Sequence, residues 1–161
     1  MNGGAHETIK VHRLFNPLSR ATENTLYNLD TAIGDAVGVD LQGFDECLIA
    51  IFVGAAASGY SGAYQVMTAD INDLEHASAA TVTGATATIA DTEDGSIELI
   101  RIRCRDVGRY LFLRRIQTGA VAAVESVVAM VTKHSASSVP VTQPAAAGDL
   151  GPTRIAFAHA T

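Results

Sequence analysis

The chain has no tryptophan, and aromatic side chains make up only 6% of its 161 residues, so its 48% apolar fraction rests largely on alanine and valine. It has only two cysteines, Cys47 and Cys104, each inside an apolar strand-like run. They read as buried free thiols, because a disulfide would need adjacent strands with suitable Cβ geometry. The histidines (His6, His12, His76, His134 and His159) show no short ligand spacing to one another or to a cysteine, which argues against a zinc site. There is no Gly-x-Ser-x-Gly elbow and no phosphate-binding loop, so neither a hydrolase nucleophile nor a nucleotide cradle is visible. Positive charge is scarce: the formal net charge is −6, which disfavours a general nucleic-acid binder. The most apolar segment, Leu48 to Ala57, falls well short of the ~20 residues of a membrane helix. Met1 to Glu7 lacks a basic start followed by an apolar core, and the reading from sequence is a soluble chain made in a reducing cytosol.

What the chain does contain is strand signal. A length of 161 residues fits one domain, which buries roughly 68–70% of its unfolded surface. Ser96 to Cys104, Arg109 to Ile116 and Val121 to Val131 are rich in β-branched and aromatic residues. Asp106-Val-Gly108 and Thr118-Gly-Ala120 separate them, the signature of an antiparallel meander. Asp45 to Val53 is a continuous apolar run, expected as a central strand covered on both faces. Gly54 to Gly62 reads as a flexible loop and Ala63 to Thr68 as a strand, with one helical turn expected over Asp70 to Ala77. Ala79 to Ala90 alternates and is expected to bulge at Gly84. Crossover helices for a parallel sheet are missing. The expected fold is all-β, an antiparallel β-sandwich of jelly-roll type with extended N- and C-terminal arms. Residues 1–30 are read as the N-terminal arm, with one short strand around Thr8 to Leu14. Residues 31–134 are read as the body and 135–161 as the C-terminal arm. The expected core is Leu48, Ile49, Ile51, Val53, Val66, Ile100, Ile102, Leu111, Leu113, Val124 and Val128.

Candidate chemistry is thin. Asp91-Thr-Glu-Asp-Gly95 resembles a calcium loop only superficially, since Glu98 comes too early for the twelve-residue ligand pattern; a hairpin turn explains it better. Asp45 and Glu46 are sequence neighbours and point to opposite faces of a strand, so they cannot share a substrate. The arginines carry more content. Arg101, Arg103, Arg105, Arg109, Arg114 and Arg115 crowd together, and Arg101 and Arg103 face away from Ile100, Ile102 and Cys104. They form either a solubilising face paired with acids on the neighbouring strand or a contact for an acidic partner, because the guanidinium fork binds carboxylates bidentately. No catalytic, cofactor-binding or metal residues are assigned, and an enzyme is not expected.

One pattern covers roughly residues 40–142. It runs from Asp40-Leu-Gln-Gly-Phe44 and an apolar strand, through a Gly/Ala/Ser loop, to Tyr64-Gln-Val-Met-Thr-Ala-Asp70. Threonine–alanine alternation, Asp94-Gly-Ser96, Gly108-Arg-Tyr-Leu-Phe-Leu-Arg114 and Thr118-Gly-Ala120 follow. This order resembles small structural proteins of tailed bacteriophages encoded among head genes. The resemblance implies a capsid cement (decoration) protein, often trimeric, that clamps neighbouring major capsid proteins on the outer shell. It implies a location on the capsid exterior of the virion, after synthesis in the host cytoplasm. Its partners would be the major capsid protein and copies of itself, with no cofactor, membrane or small-molecule substrate, and with nucleic acid not expected. Partner contacts are expected from Leu14, Phe15, Ile155 and Phe157 as apolar anchors and from Arg101, Arg103, Arg109 and Arg114. Three alternatives stay open: a tail or head–tail joining component, a polyanion-binding module using Arg101 to Arg115, and a small enzyme on a jelly roll.

Overall fold

Apolar stretches with a period of two, cut by glycine and by short polar turns, divide the chain into strands. The computed structural model describes residues 8–20, 25–28, 36–73, 79–118, 121–133 and 153–157. The strands are β1 (Thr8–Arg20), β2 (Thr25–Leu26), β3 (Val39–Asp40), β4 (Glu46–Ala56) and β5 (Ser61–Ala69). They continue with β6 (Ala80–Ala90), β7 (Ile97–Arg103), β8 (Tyr110–Thr118), β9 (Ala123–Lys133) and β10 (Thr153–Phe157). One 3-10 turn, Cys104–Asp106, follows β7.

The first sheet has the order β1-β9-β4-β7-β10 and the second the order β2-β8-β5-β6, with β3 also paired to β8. From β5 onward the chain passes β5 and β6 in the second sheet, β7 in the first, β8 in the second and β9 in the first. Four strands in each sheet, β1-β9-β4-β7 against β2-β8-β5-β6, linked in this way make an antiparallel jelly-roll sandwich. β10 departs from the pattern and pairs in parallel with β7. Asn28 extends β2's pairing: its side chain donates to the carbonyl oxygens of Val37 and Leu111 and accepts from the Leu113 N–H at 2.8 Å. Gly84 adopts φ +77° where the β5–β6 register slips between Gln65 and Met67, so the expected bulge is present.

The core lies between the sheets. Cys47, Ile49, Ile51 and Val53 of β4 meet Ile100 and Ile102 of β7, Val127, Ala129 and Val131 of β9, and Val66, Leu111 and Leu113 from the opposite sheet. On the outer side of the second sheet Phe112 is fully buried with Tyr27, Ala36 and Ala69, while the outward threonines of β6 stay exposed.

Three expectations are corrected. Residues 8–20 are not an arm but a body strand, paired along its length with β9. Leu14 and Phe15 are therefore 1% and 0% exposed within this chain's own core and cannot anchor a neighbour. Leu48, Val124 and Val128 sit on the outer face of the first sheet: Leu48 and Val128 are half-buried, and Val124 is 41% exposed. Strand phase is the reason, because Ala123, Glu125, Val127, Ala129 and Val131 take the inward positions of β9. Finally, β4 is central in its sheet but covered by the second sheet on one face only, and Phe52 stands 41% exposed on the other. Of the remaining expected arm residues, Ile155 and Phe157 lie in β10, whereas residues 1–7, 21–24, 29–30, 135–152 and 158–161 lie outside the described residues. Most of the expected helical turn over residues 70–77 also falls outside them.

The face assignment is testable by urea denaturation. Ile49→Ala removes a fully buried side chain and is expected to cost about 2–5 kcal/mol. Val124→Ala on the outer face is expected to stay within about 0.5 kcal/mol of the parent. Equal losses would contradict the assigned faces.

Candidate interaction surface

Alternation along β8 turns Leu111, Leu113, Arg115 and Gln117 inward, so a guanidinium enters the core. The same alternation on β9 turns Glu125 inward, and both residues are 0% exposed. Arg115 Nε donates to Glu125 Oε2 at 2.6 Å, and a terminal nitrogen of Arg115 donates to Gln117 Oε1 at 2.6 Å and to the Tyr60 hydroxyl at 3.1 Å. Tyr64 donates to Glu125 Oε2 at 2.8 Å and Tyr60 to Glu125 Oε1. Gln117 in turn donates to the Val121 carbonyl at 2.8 Å. Phe15 packs edge-on to Tyr64, with ring centroids 5.6 Å apart.

Burial pushes the Tyr60 phenol up, and its hydrogen bond to Glu125 adds to the shift. Burial alone would push Arg115 down, but the Glu125 carboxylate outweighs it and the net direction is up. The cluster joins β5 and β8 of one sheet to β9 of the other. Both carboxylate oxygens are occupied and the site is sealed, so it is built to hold the sheets together rather than to meet a substrate. Sequence reasoning placed Arg115 in an exposed stripe and missed Glu125. The signal was present as one charged residue in phase with each apolar stripe.

The remaining arginines do not form one stripe. Arg101 and Arg103 stand exposed on the outer face of the first sheet, where Arg101 chelates Glu46 of the neighbouring strand through Nε at 3.1 Å and through a terminal nitrogen. Arg109, ahead of β8, grips Asp40 through two bonds of 3.0 and 2.8 Å, and its guanidinium lies 4.9 Å from the Tyr110 ring centroid. That hydrogen-bonded guanidinium holds the Asp40 carboxyl at about 2, well below the usual carboxylate range. Arg114 points to the outer side of the second sheet and bonds Gln65. Arg105 pairs loosely with Asp106 at 3.5 Å.

The acidic turn 91–95 is spent on bracing: Asp94 accepts from the Ala56 N–H at 2.7 Å and Asp91 from the Gly59 N–H at 2.6 Å. Among the described residues, no group of three or more His, Cys, Asp or Glu side chains could hold a metal ion. Cys47 and Cys104 are free and buried, and burial pushes the Cys104 thiol up to about 12. An open cleft beside the 3-10 turn is lined by Thr68, Thr81, Thr83, Arg105 and Asp106, among others.

The most extended exposed feature is apolar. Of the six large apolar side chains that stand exposed among the described residues, Ile9, Val11, Phe52 and Val124 share the outer face of the first sheet. Register aligns them with neighbours on the same face that range from the buried Ala50 through the half-buried Leu48, Leu99, Val128 and Met130 to the exposed Arg13 and Arg101. Val11, Met130, Leu48 and Arg101 make one row, Arg13, Val128, Ala50 and Leu99 the next, and Ser126, Phe52 and Ile97 a third. Glu46 is the carboxylate of this face among the described strands, and it is held by Arg101.

Fold and site together define a jelly-roll sandwich with a sealed charged core and an open apolar sheet face. A chain in the structure of infectious bursal disease virus, Gt strain, shares this fold with a TM-score of 0.50, at 8% identity over 83% of this chain and 33% of that one. A chain of the VP2 subviral particle of infectious bursal disease virus gives a TM-score of 0.47, at 10% identity over 81% and 33%. The chain spans about a third of the length of these structures. No family model matches it, nor does any curated protein.

Two outcomes are expected. Arg115→Met leaves Glu125 buried without its cation and should cost about 3–5 kcal/mol in urea unfolding. Arg115→Met combined with Glu125→Leu should recover most of that loss, whereas additive losses would contradict a sealed ion pair. By NMR titration the Asp40 carboxyl should show its midpoint near 2 and move up toward the ordinary range in Arg109→Ala, stopping short of it because the Gln42 N–H still donates to Asp40. With the folded value depressed, the pair's contribution is present above the unfolded value and fades as pH falls toward 2. An unchanged midpoint in the variant would contradict the chelate.

Proposed function

We propose that this chain is a structural virion protein of the cement type, which binds the outer surface of a tailed-phage capsid and stabilises contacts between major capsid proteins. The observation that carries the reading is a jelly-roll body with a sealed internal ion pair and, among the described residues, a largely apolar exposed face on the first sheet, edged by Arg13, Arg101 and Arg103. Likeness of fold to a chain from a virus structure supports it, and so does the sequence resemblance to phage head proteins over residues 40–142. On this reading the protein works as a homo-oligomer, with a trimer favoured, on the particle exterior, after synthesis in the host cytoplasm. Arg101 and Arg103 on the first sheet, together with Ile155 and Phe157 of β10, are its proposed partner-contacting residues, whereas Arg109 and Arg114, expected with them, lie on the side of the second sheet and bond Asp40 and Gln65. A tail or head–tail joining role is the second reading, because a sandwich with an open face serves either position.

The polyanion-binding alternative is weakened by the ion pairs. Arg115 is buried, and Arg101 and Arg109 are already gripped by Glu46 and Asp40.

Co-sedimentation of the purified chain with undecorated heads is the test. Saturation at a fixed simple ratio to the major capsid subunit, with heads that better resist heat, is expected. No binding to intact heads would move the protein to the tail or joining region.

A further inference from the structure

An apolar face of this extent contrasts with the other sheet, whose outer face buries Phe112 and otherwise exposes threonines such as Thr86 and Thr88. Antiparallel sheets with a free face normally alternate polar residues outward. Here β4 presents Leu48 and Phe52 outward, with Ala50 buried between them, and β9 presents Val124, Val128 and Met130. Val11 on β1 is 64% exposed and Ile9 is 55% exposed. The second sheet buries the corresponding Phe112 under Tyr27 and Ala36. The run 45–53 thus has the composition of a strand covered on both faces, and the described fold covers one. Contiguous exposed apolar surface rimmed by charge marks a contact site.

We propose that the outer face of the first sheet is the docking face, and that its occupant is a protein surface with an apolar centre and carboxylates at its edge. Charge decides the occupant. The β1 side of the face carries Arg13 and the β7 side carries Arg101 and Arg103, while its carboxylate, Glu46, is already chelated by Arg101. A second copy stacked face to face about a two-fold axis would set cationic rim against cationic rim, and like-charge juxtaposition is unfavourable. An acidic partner instead meets Arg13 and Arg103 with its carboxylates while Val11 and Phe52 fill its apolar centre. Resting on the cement reading, this inference assigns that partner surface to the major capsid protein.

The experiment compares the parent with Arg13→Glu/Arg103→Glu, with Val11→Ser/Phe52→Ser, and with Thr86→Glu on the outer face of the opposite sheet as control. Each is scored for occupancy on undecorated heads across a salt series, with circular dichroism and urea midpoints confirming the fold. Both double variants should lose at least ten-fold in apparent affinity. The charge-reversed one should also lose the parent's salt dependence, and Thr86→Glu should match the parent. Parent and double variants binding equally would overturn the inference and leave the cement reading standing. A parent that does not bind would overturn both. Sedimentation velocity adds the remaining outcome: a parent oligomer that Val11→Ser/Phe52→Ser dissociates would give the face to a second copy, and so overturn the acidic-partner assignment.

Discussion

The two sheets of this protein are fastened by one buried ion pair, Arg115 with Glu125, and its surroundings are arranged to satisfy it. An isolated charge in an apolar interior costs several kcal/mol, so each partner is tolerable only where the other is fixed. That requirement sets strand phase. A one-residue slip of β8 or β9 would turn one charge to the surface and leave the other buried alone. Tyr60 and Tyr64 supply the remaining hydrogen bonds and lie at or just before β5, so three strands from two sheets are held in a single register. Phe15 closes over Tyr64, which explains why β1 belongs to the body.

The two outer faces follow from the same alternation and end differently. On the second sheet the chain between β1 and β4 folds back: Asn28 bridges Val37 and Leu113, and Tyr27 and Ala36 cover Phe112. On the first sheet the described outward positions are largely apolar and include the exposed Ile9, Val11, Phe52 and Val124. Asymmetry of this kind is costly for a lone molecule in water and natural for one that works pressed against a larger surface. The ion pairs Arg101 with Glu46 on the first sheet and Arg109 with Asp40 beside β8 of the second are partly or largely exposed and screened by solvent, so they add little to stability.

Much of the fold was legible in the residues. The three strands from Ser96 to Val131, the bulge at Gly84 and the turn at Asp91 to Gly95 lie where β-branched runs, a lone glycine and clustered acids put them. The expected meander is corrected, because β7 and β9 pair with β4 in the first sheet while β8 crosses to pair with β5 in the second. The outward phase of Arg101 and Arg103 followed from simple alternation with Ile100 and Ile102. What failed had a common cause. On β9 both phases are rich in valine, so hydrophobicity could not choose between Val124 with Val128 and Val127 with Val131; the answer hung on burying Glu125, which composition argues against. Arg115 misled in the same way. The strand β1 was underestimated because its period breaks at two register shifts, between Arg13 and Phe15 and between Phe15 and Leu18. The open apolar face was not legible at all, since a run such as Asp45 to Val53 reads the same whether its second cover is its own chain or another.

The central claim is that this jelly roll sits on a capsid exterior with its first sheet turned toward the shell. A single-particle reconstruction of heads carrying the chain tests it most directly. The account predicts sandwich density on the outer surface, bridging adjacent major capsid subunits, with β1, β9, β4 and β7 facing the shell. Density confined to the tail or the joining region, or a sandwich seated on the shell through its β8–β5–β6 face, would contradict it.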